Sequence, residues 1–134
     1  MNGYAASSAG RPTSLSGVRI ATWNVNSVKT RVPRLLPWLE DRQPDGVCLQ
    51  ETKLSDEAFK ALLGEALDGL GYGFAHHGHG QWNGVAILSR LGLDDVERDF
   101  PGQPEFAGAA EARAISATCG GVRVHSLYVP NGRE

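Results

Sequence analysis

Apolar positions in this chain come in short runs broken by polar turns. Val18-Arg19-Ile20-Ala21-Thr22-Trp23 ends in Asn24, and Gly46-Val47-Cys48-Leu49-Gln50 ends in Glu51. The runs predict strands over Val18–Asn24 and Val47–Gln50. Between them Asn26–Thr30 reads as a loop. A helix follows over Val32–Asp41, with Leu35, Leu36, Trp38 and Leu39 on its apolar side. Thr30 suits its cap and Pro33 its first turn, while Pro37 is expected to kink it or split off a tighter turn. Ser55 caps a second helix. Asp56 and Glu57 favour its positive end, and Phe59, Leu62, Leu63, Ala66, Leu67 and Leu70 form its core face. Gly69-Leu70-Gly71 ends it.

Strands over Tyr72–His76 and Val85–Leu88 come next, separated by the polar stretch His77-Gly78-His79-Gly80-Gln81. His76, His77 and His79 invite a metal reading. They have no Cys or acid at ligand spacing, so a solvent-exposed loop is the expectation. Gly92–Gly108 reads as a long acidic connection. Arg113–Thr118 and Val122–Tyr128 flank Gly120-Gly121 as a β-hairpin. The class is α+β: one mostly antiparallel sheet with two main helices. Two helices cover one sheet face. No element clearly covers the other, which implies part of a larger fold or self-association through that face.

Charge adds a local feature. Every acid lies after Leu39, whereas Arg11, Arg19, Lys29, Arg31 and Arg34 precede it. A basic segment on a mildly acidic chain suits contact with a polyanion, and a solvated helix face would look the same. Cys48 and Cys119 form no C-x-x-C pair, which points to a reducing, cytoplasmic setting. No stretch is long and apolar enough to span a membrane, so no membrane partner is expected. Residues 1–16, rich in Ser, Ala and Gly, read as a disordered tail ahead of one domain over 17–134.

The strand ends carry the chemistry. Ile20-Ala21-Thr22-Trp23-Asn24-Val25-Asn26-Ser27 resembles the first motif of the exodeoxyribonuclease III and abasic-site endonuclease family, within the endonuclease/exonuclease/phosphatase superfamily. Gln43-Pro44-Asp45 with Leu49-Gln50-Glu51-Thr52-Lys53 resembles the second motif. Gly84–Arg90, Glu111-Ala112-Arg113 and Tyr128-Val129-Pro130-Asn131-Gly132 resemble the next three. The resemblance implies a four-layer α/β sandwich of which this chain is about the N-terminal half. The family's later Asp-x-Asn, Asp and Asp-His motifs have no counterpart here, so the chain alone is expected to be inactive.

The resemblance implies Mg²⁺-dependent hydrolysis of DNA phosphodiesters, with Mn²⁺ as a substitute. The expected partner is double-stranded DNA with abasic sites or 3′ ends. It assigns Glu51 to the metal and Asn24 to the metal site and phosphate. Asn26 stands beside the metal, and Tyr128 stabilises charge in the transition state. Asn131, Lys53, Lys29, Arg31 and Arg113 are the implied phosphate and DNA contacts. Two other classes fit the residues. One is a superfamily phosphoesterase acting on a lipid head group or small phosphate ester. The other is a non-catalytic half-domain that binds DNA or a partner.

Overall fold

The computed structural model describes residues 17–100, 105–106 and 109–130, so the expected tail and Asn131 lie outside the described residues. The elements are β1 (Ile20–Asn24), α1 (Val28–Arg42), β2 (Gly46–Gln50), α2 (Asp56–Gly69), β3 (Gly73–His77), β4 (Val85–Ser89), β5 (Asp94–Arg98), β6 (Glu105–Phe106), β7 (Ala109–Ala110), β8 (Ala114–Cys119) and β9 (Val122–Leu127). They form a mixed sheet in the order β1-β2-β4-β3, an antiparallel sheet β5-β8-β9, and the small ribbon β6-β7. The α+β class holds, with two sheets in place of the single one expected.

β2 and β4 are buried at every position, and they separate two cores. Side chains alternate across a strand. Val47, Leu49, Ala86 and Leu88 meet Val28, Leu35 and Leu39 of α1 and Phe59, Leu63 and Leu67 of α2. Cys48, Val85 and Ile87 point the other way, with Ala75, and meet Ile115, Ala117, Cys119 and Val124 of the second sheet. The sheet face expected to be bare is therefore covered. The β8–β9 hairpin folds over it instead of extending it, which removes the premise for self-association through that face. Half of this second core is Ala and Cys, small side chains that let the sheets approach closely. The Ser126 hydroxyl of β9 donates to the Leu49 carbonyl of β2 at 3.0 Å.

α1 starts a full turn earlier than the sequence suggests. Ser27, not Thr30, is its cap, with Oγ accepting from the Thr30 N–H at 3.4 Å. Its φ of 85° is unusual for a cap, and that hid it. Both Pro33 and Pro37 lie inside the helix without dividing it. Four residues apart, they share one exposed stripe with Lys29. The carbonyls of Lys29 and Pro33, which lose their usual N–H partners, therefore face water. β5 lies in the expected connection: all five of its residues are exposed, and no alternation marks it as a strand. Its ladder to β8 has an irregular register between Asp94 and Glu97.

The turn into β2 is built from buried polar groups. Asp45 accepts the Arg19 N–H at 2.9 Å, and the Tyr72 hydroxyl donates to the Pro44 carbonyl at 2.5 Å. The two cysteines are free and buried between the sheets. Burial, then the charge of Cys119, pushes the Cys48 thiol up to about 11, and burial raises Cys119 as well. Thiolate is the reactive form, so both should resist a disulfide reagent in the native chain at mildly alkaline pH. The expected result is labelling at the rate of unfolding, accelerated by urea. Rapid native labelling would show that the inter-sheet core is open.

Candidate active site

β1 and β2 are parallel with Asn24 opposite Gln50, so both chains leave the sheet side by side. β4 is antiparallel to β2, with Val85 opposite Gln50, so its entry turn lies on the same edge. Backbone hydrogen bonds join the three segments beyond the strands. Val25 N–H donates to Gln50 O at 2.9 Å, Ser27 N–H to Glu51 O at 2.8 Å and Val28 N–H to Thr52 O at 3.1 Å. Thr52 N–H donates to Gly84 O at 3.1 Å and Lys53 N–H to Asn83 O at 2.8 Å. The second sheet joins through Gly84 N–H to Ala112 O at 2.9 Å, and Tyr128 N–H to Arg113 O at 2.8 Å extends the β8–β9 ladder beside it.

This edge concentrates unfavourable backbone geometry. Asn26, Ser27, Glu51, Lys53 and Asn83 have φ of 45°, 85°, 59°, 59° and 60°. Left-handed conformations at residues other than glycine cost about 1–3 kcal/mol each and gather where function requires them. Gly84, at φ +96°, answers a separate need, because a Cβ there would lie 2.2 Å from Thr52 Oγ1.

The side chains form a connected polar surface. Asn24 Oδ1 accepts the Asn26 N–H at 3.1 Å, and Asn26 Oδ1 accepts from Lys53 Nζ at 2.6 Å. Behind them, Gln50 Nε2 donates to Thr22 Oγ1 at 2.9 Å and to Ser126 Oγ at 3.3 Å, which ties β1, β2 and β9 together. The Tyr128 phenol is held above its ordinary pKa. Burial is the first cause, and the Glu51 carboxylate is the second, as hydrogen-bond partner and as charge. Tyr128 and Glu51 are thus brought together from different sheets.

Arg113 forms an ion pair with Glu111 beside them. Lys29 and Arg31 lie in the first turn of α1, which has no acidic residue. Two cations next to the positive end of a helix make a place for an anion.

Two features escaped the sequence. His76 lies in β3 as expected and His77 extends the strand; both are buried while His79 is exposed, which corrects the solvent-exposed reading of the first two. His77 Nε2 lies 3.0 Å from Asp99 Oδ1. His76 bonds Thr52 and Asp56, so a polar group lies directly behind Glu51. The pairing of two adjacent His residues with acids distant in sequence leaves no local spacing to read.

Oxygen donors at the edge suit a hard cation. Glu51 offers a carboxylate and Asn24 an amide oxygen, and Mg²⁺ takes few protein ligands and keeps several waters. Among the described residues, no group of three His, Cys, Asp or Glu side chains gathers as a ready metal site. The Asn26 oxygen already faces the Lys53 ammonium, which orients that cation.

A fold of helices and two packed sheets, with oxygen donors and a phenol at the strand ends, defines a phosphoesterase-type scaffold. Residues 21–133 match the family model described as endonuclease/exonuclease/phosphatase family, and the chain belongs to that family. Within it, the chain is similar to proteins named exodeoxyribonuclease III and AP endonuclease. It is 34% identical over 118 residues to exodeoxyribonuclease III of Haemophilus influenzae, covering 87% of this chain and 43% of that protein. An AP endonuclease structure from Archaeoglobus fulgidus superposes with a TM-score of 0.76 at 36% identity, covering 86% of this chain and 42% of the other. The 3′ phosphatase NExo from Neisseria, solved with product DNA hairpin, gives a TM-score of 0.76 at 40% identity, covering 86% and 42%. The chain thus spans well under half the length of these relatives.

The Tyr128–Glu51 pairing has a direct test. Glu51→Gln removes the negative charge that disfavours the phenolate, so the Tyr128 pKa should fall toward the ordinary tyrosine value. Ring resonances of Tyr128 followed against pH by NMR read this. An unchanged titration would separate the two groups.

Proposed function

We propose that this chain carries the cation- and phosphate-binding side of a DNA-repair phosphodiesterase of the exodeoxyribonuclease III type. The observation that supports it most directly is the meeting of Glu51, Asn24 and Tyr128 at one sheet edge, from β1, β2 and β9. Glu51 holds Mg²⁺ or Mn²⁺, with Asn24 beside it. A bound divalent cation supplies positive charge against the phosphate oxygens. Tyr128 is a neutral phenol at physiological pH, and it can donate a hydrogen bond to the phosphate as negative charge develops. Asn26 aims Lys53 at the same anion. Lys29, Arg31 and Arg113 contact DNA phosphates on either side, and Asn131 adds a further phosphate contact. Water attacks phosphorus in line and the 3′ oxygen leaves.

The substrates of the whole enzyme are abasic duplex DNA and 3′ ends, in a reducing cytoplasm. Among the described residues, no helix is long and apolar enough to cross a membrane. The chain by itself binds the cation and DNA without cutting, because among the described residues the edge gathers too few acidic groups to activate water.

A chimera tests this reading. Residues 18–134 replace the matching part of the Haemophilus influenzae exodeoxyribonuclease III, and nicking of abasic duplex is measured with and without Mg²⁺. Mg²⁺-dependent nicking is expected, abolished by Glu51→Ala and lowered about 100-fold in kcat by Tyr128→Phe. A folded chimera that cuts as well with Glu51→Ala would sink the assignment. For the isolated chain, DNA binding should weaken steeply with salt.

A further inference from the structure

Behind the site runs a chain of three side chains that the sheet does not require. Thr52 Oγ1 lies 2.8 Å from His76 Nε2, and His76 Nδ1 lies 2.7 Å from Asp56 Oδ1. The order hydroxyl, imidazole, carboxylate suggests a nucleophile at first sight. Thr52 is fully buried and His76 is 3% exposed, so neither reaches a substrate. The arrangement acts inward.

Its polarity follows from the groups. A carboxylate only accepts, so His76 Nδ1 carries the proton. Burial keeps the ring's pKa below its ordinary value, against the pull of Asp56, so the ring is neutral. Nε2 is then an acceptor, and the Thr52 hydroxyl donates to it.

Both ends are anchored. Asp56 opens α2, and its Oδ1 also accepts the Gly78 N–H at 3.0 Å. Arg98 of β5 donates to the His76 carbonyl at 3.1 Å and approaches Asp56 Oδ2 at 3.8 Å. The imidazole stacks on Phe59, with centroids 4.2 Å apart and planes 19° from parallel. At the other end, Thr52 sits between Glu51 and Lys53, both at φ 59°. With Thr52 drawn inward, its two neighbours are left half-exposed at the edge. The space Thr52 enters exists because residue 84 is glycine.

We propose that Thr52, His76 and Asp56 are positioning residues: the buried hydroxyl, pinned through the imidazole to the start of α2, holds the Glu51–Lys53 turn in its left-handed shape and presents Glu51 and Lys53 to the ligand. What the turn presents them to rests on the cation and phosphate reading above. That the relay holds the turn does not.

The test uses the isotopically labelled 134-residue chain. In the wild type, ring nitrogen shifts should report His76 protonated at Nδ1 alone. Protonation at Nε2 alone would overturn the relay without any variant. Thr52→Val keeps the shape of the side chain and removes the donor. His76→Phe keeps an aromatic ring against Phe59 and removes both nitrogens. Thr52→Ser restores the hydroxyl.

Amide exchange at Thr52 and Lys53 should quicken about tenfold relative to Ile87 in Thr52→Val and His76→Phe, and return in Thr52→Ser. Equal quickening at Ile87 would mean general destabilisation and would overturn the proposal, as would unchanged exchange in the turn. Mn²⁺ line broadening at Asn24 and Glu51 is followed in the same samples. Its midpoint should rise about tenfold in the two disrupting variants and recover with serine. A wild-type chain without that broadening refutes the cation reading, while the exchange data still decide the relay.

Discussion

Everything at the candidate site depends on one pairing, the parallel ladder of β1 and β2. Parallel strands need a crossover, and α1 supplies it while covering one sheet face. Because Asn24 lies opposite Gln50, the residues beyond each strand emerge together. A slip of one residue would turn Glu51 from the edge toward a core. The register is held at the start by Asp45 and Arg19 and at the end by the Val25 to Gln50 bond.

The second sheet does more than shield apolar surface. Its small inner side chains allow an approach close enough for the Ser126 hydroxyl to reach a β2 carbonyl, and this fixes where Tyr128 lies relative to Glu51. The same hydroxyl accepts from Gln50, the residue before Glu51. A single polar link therefore sets the depth of packing and the placing of the phenol. The helices reach the site differently, through the ends of α1 and α2 and not through their faces.

Much of the fold was legible, for identifiable reasons. Ser55 is an ordinary cap and was read as one, with its Oγ accepting the Ala58 N–H at 3.1 Å. β2 and β4 are short uninterrupted apolar runs, which is what a strand covered on both faces requires. Asn24 and Glu51 stand out in the sequence as the polar residues at the ends of the β1 and β2 runs. Ser27 and β5 were missed because a left-handed cap and a fully exposed strand carry no pattern. The cover of the second face was missed because a hairpin's sequence does not say whether it extends a sheet or folds across it. The burial of His76 and His77 carries no sequence signal, because their partners Asp56 and Asp99 lie about twenty residues away on neighbouring segments.

The five left-handed residues around the site place stability and chemistry in opposition. Laboratory evolution that rewards only thermal resistance would favour glycine or asparagine at positions 51 and 53, and glycine at 26, 27 and 83. Each such change relaxes the backbone and erases a charge or a polar side chain. A library sorted for heat tolerance would thus converge on chains that fold better and present a blank edge. The positions it altered first would trace the outline of the site.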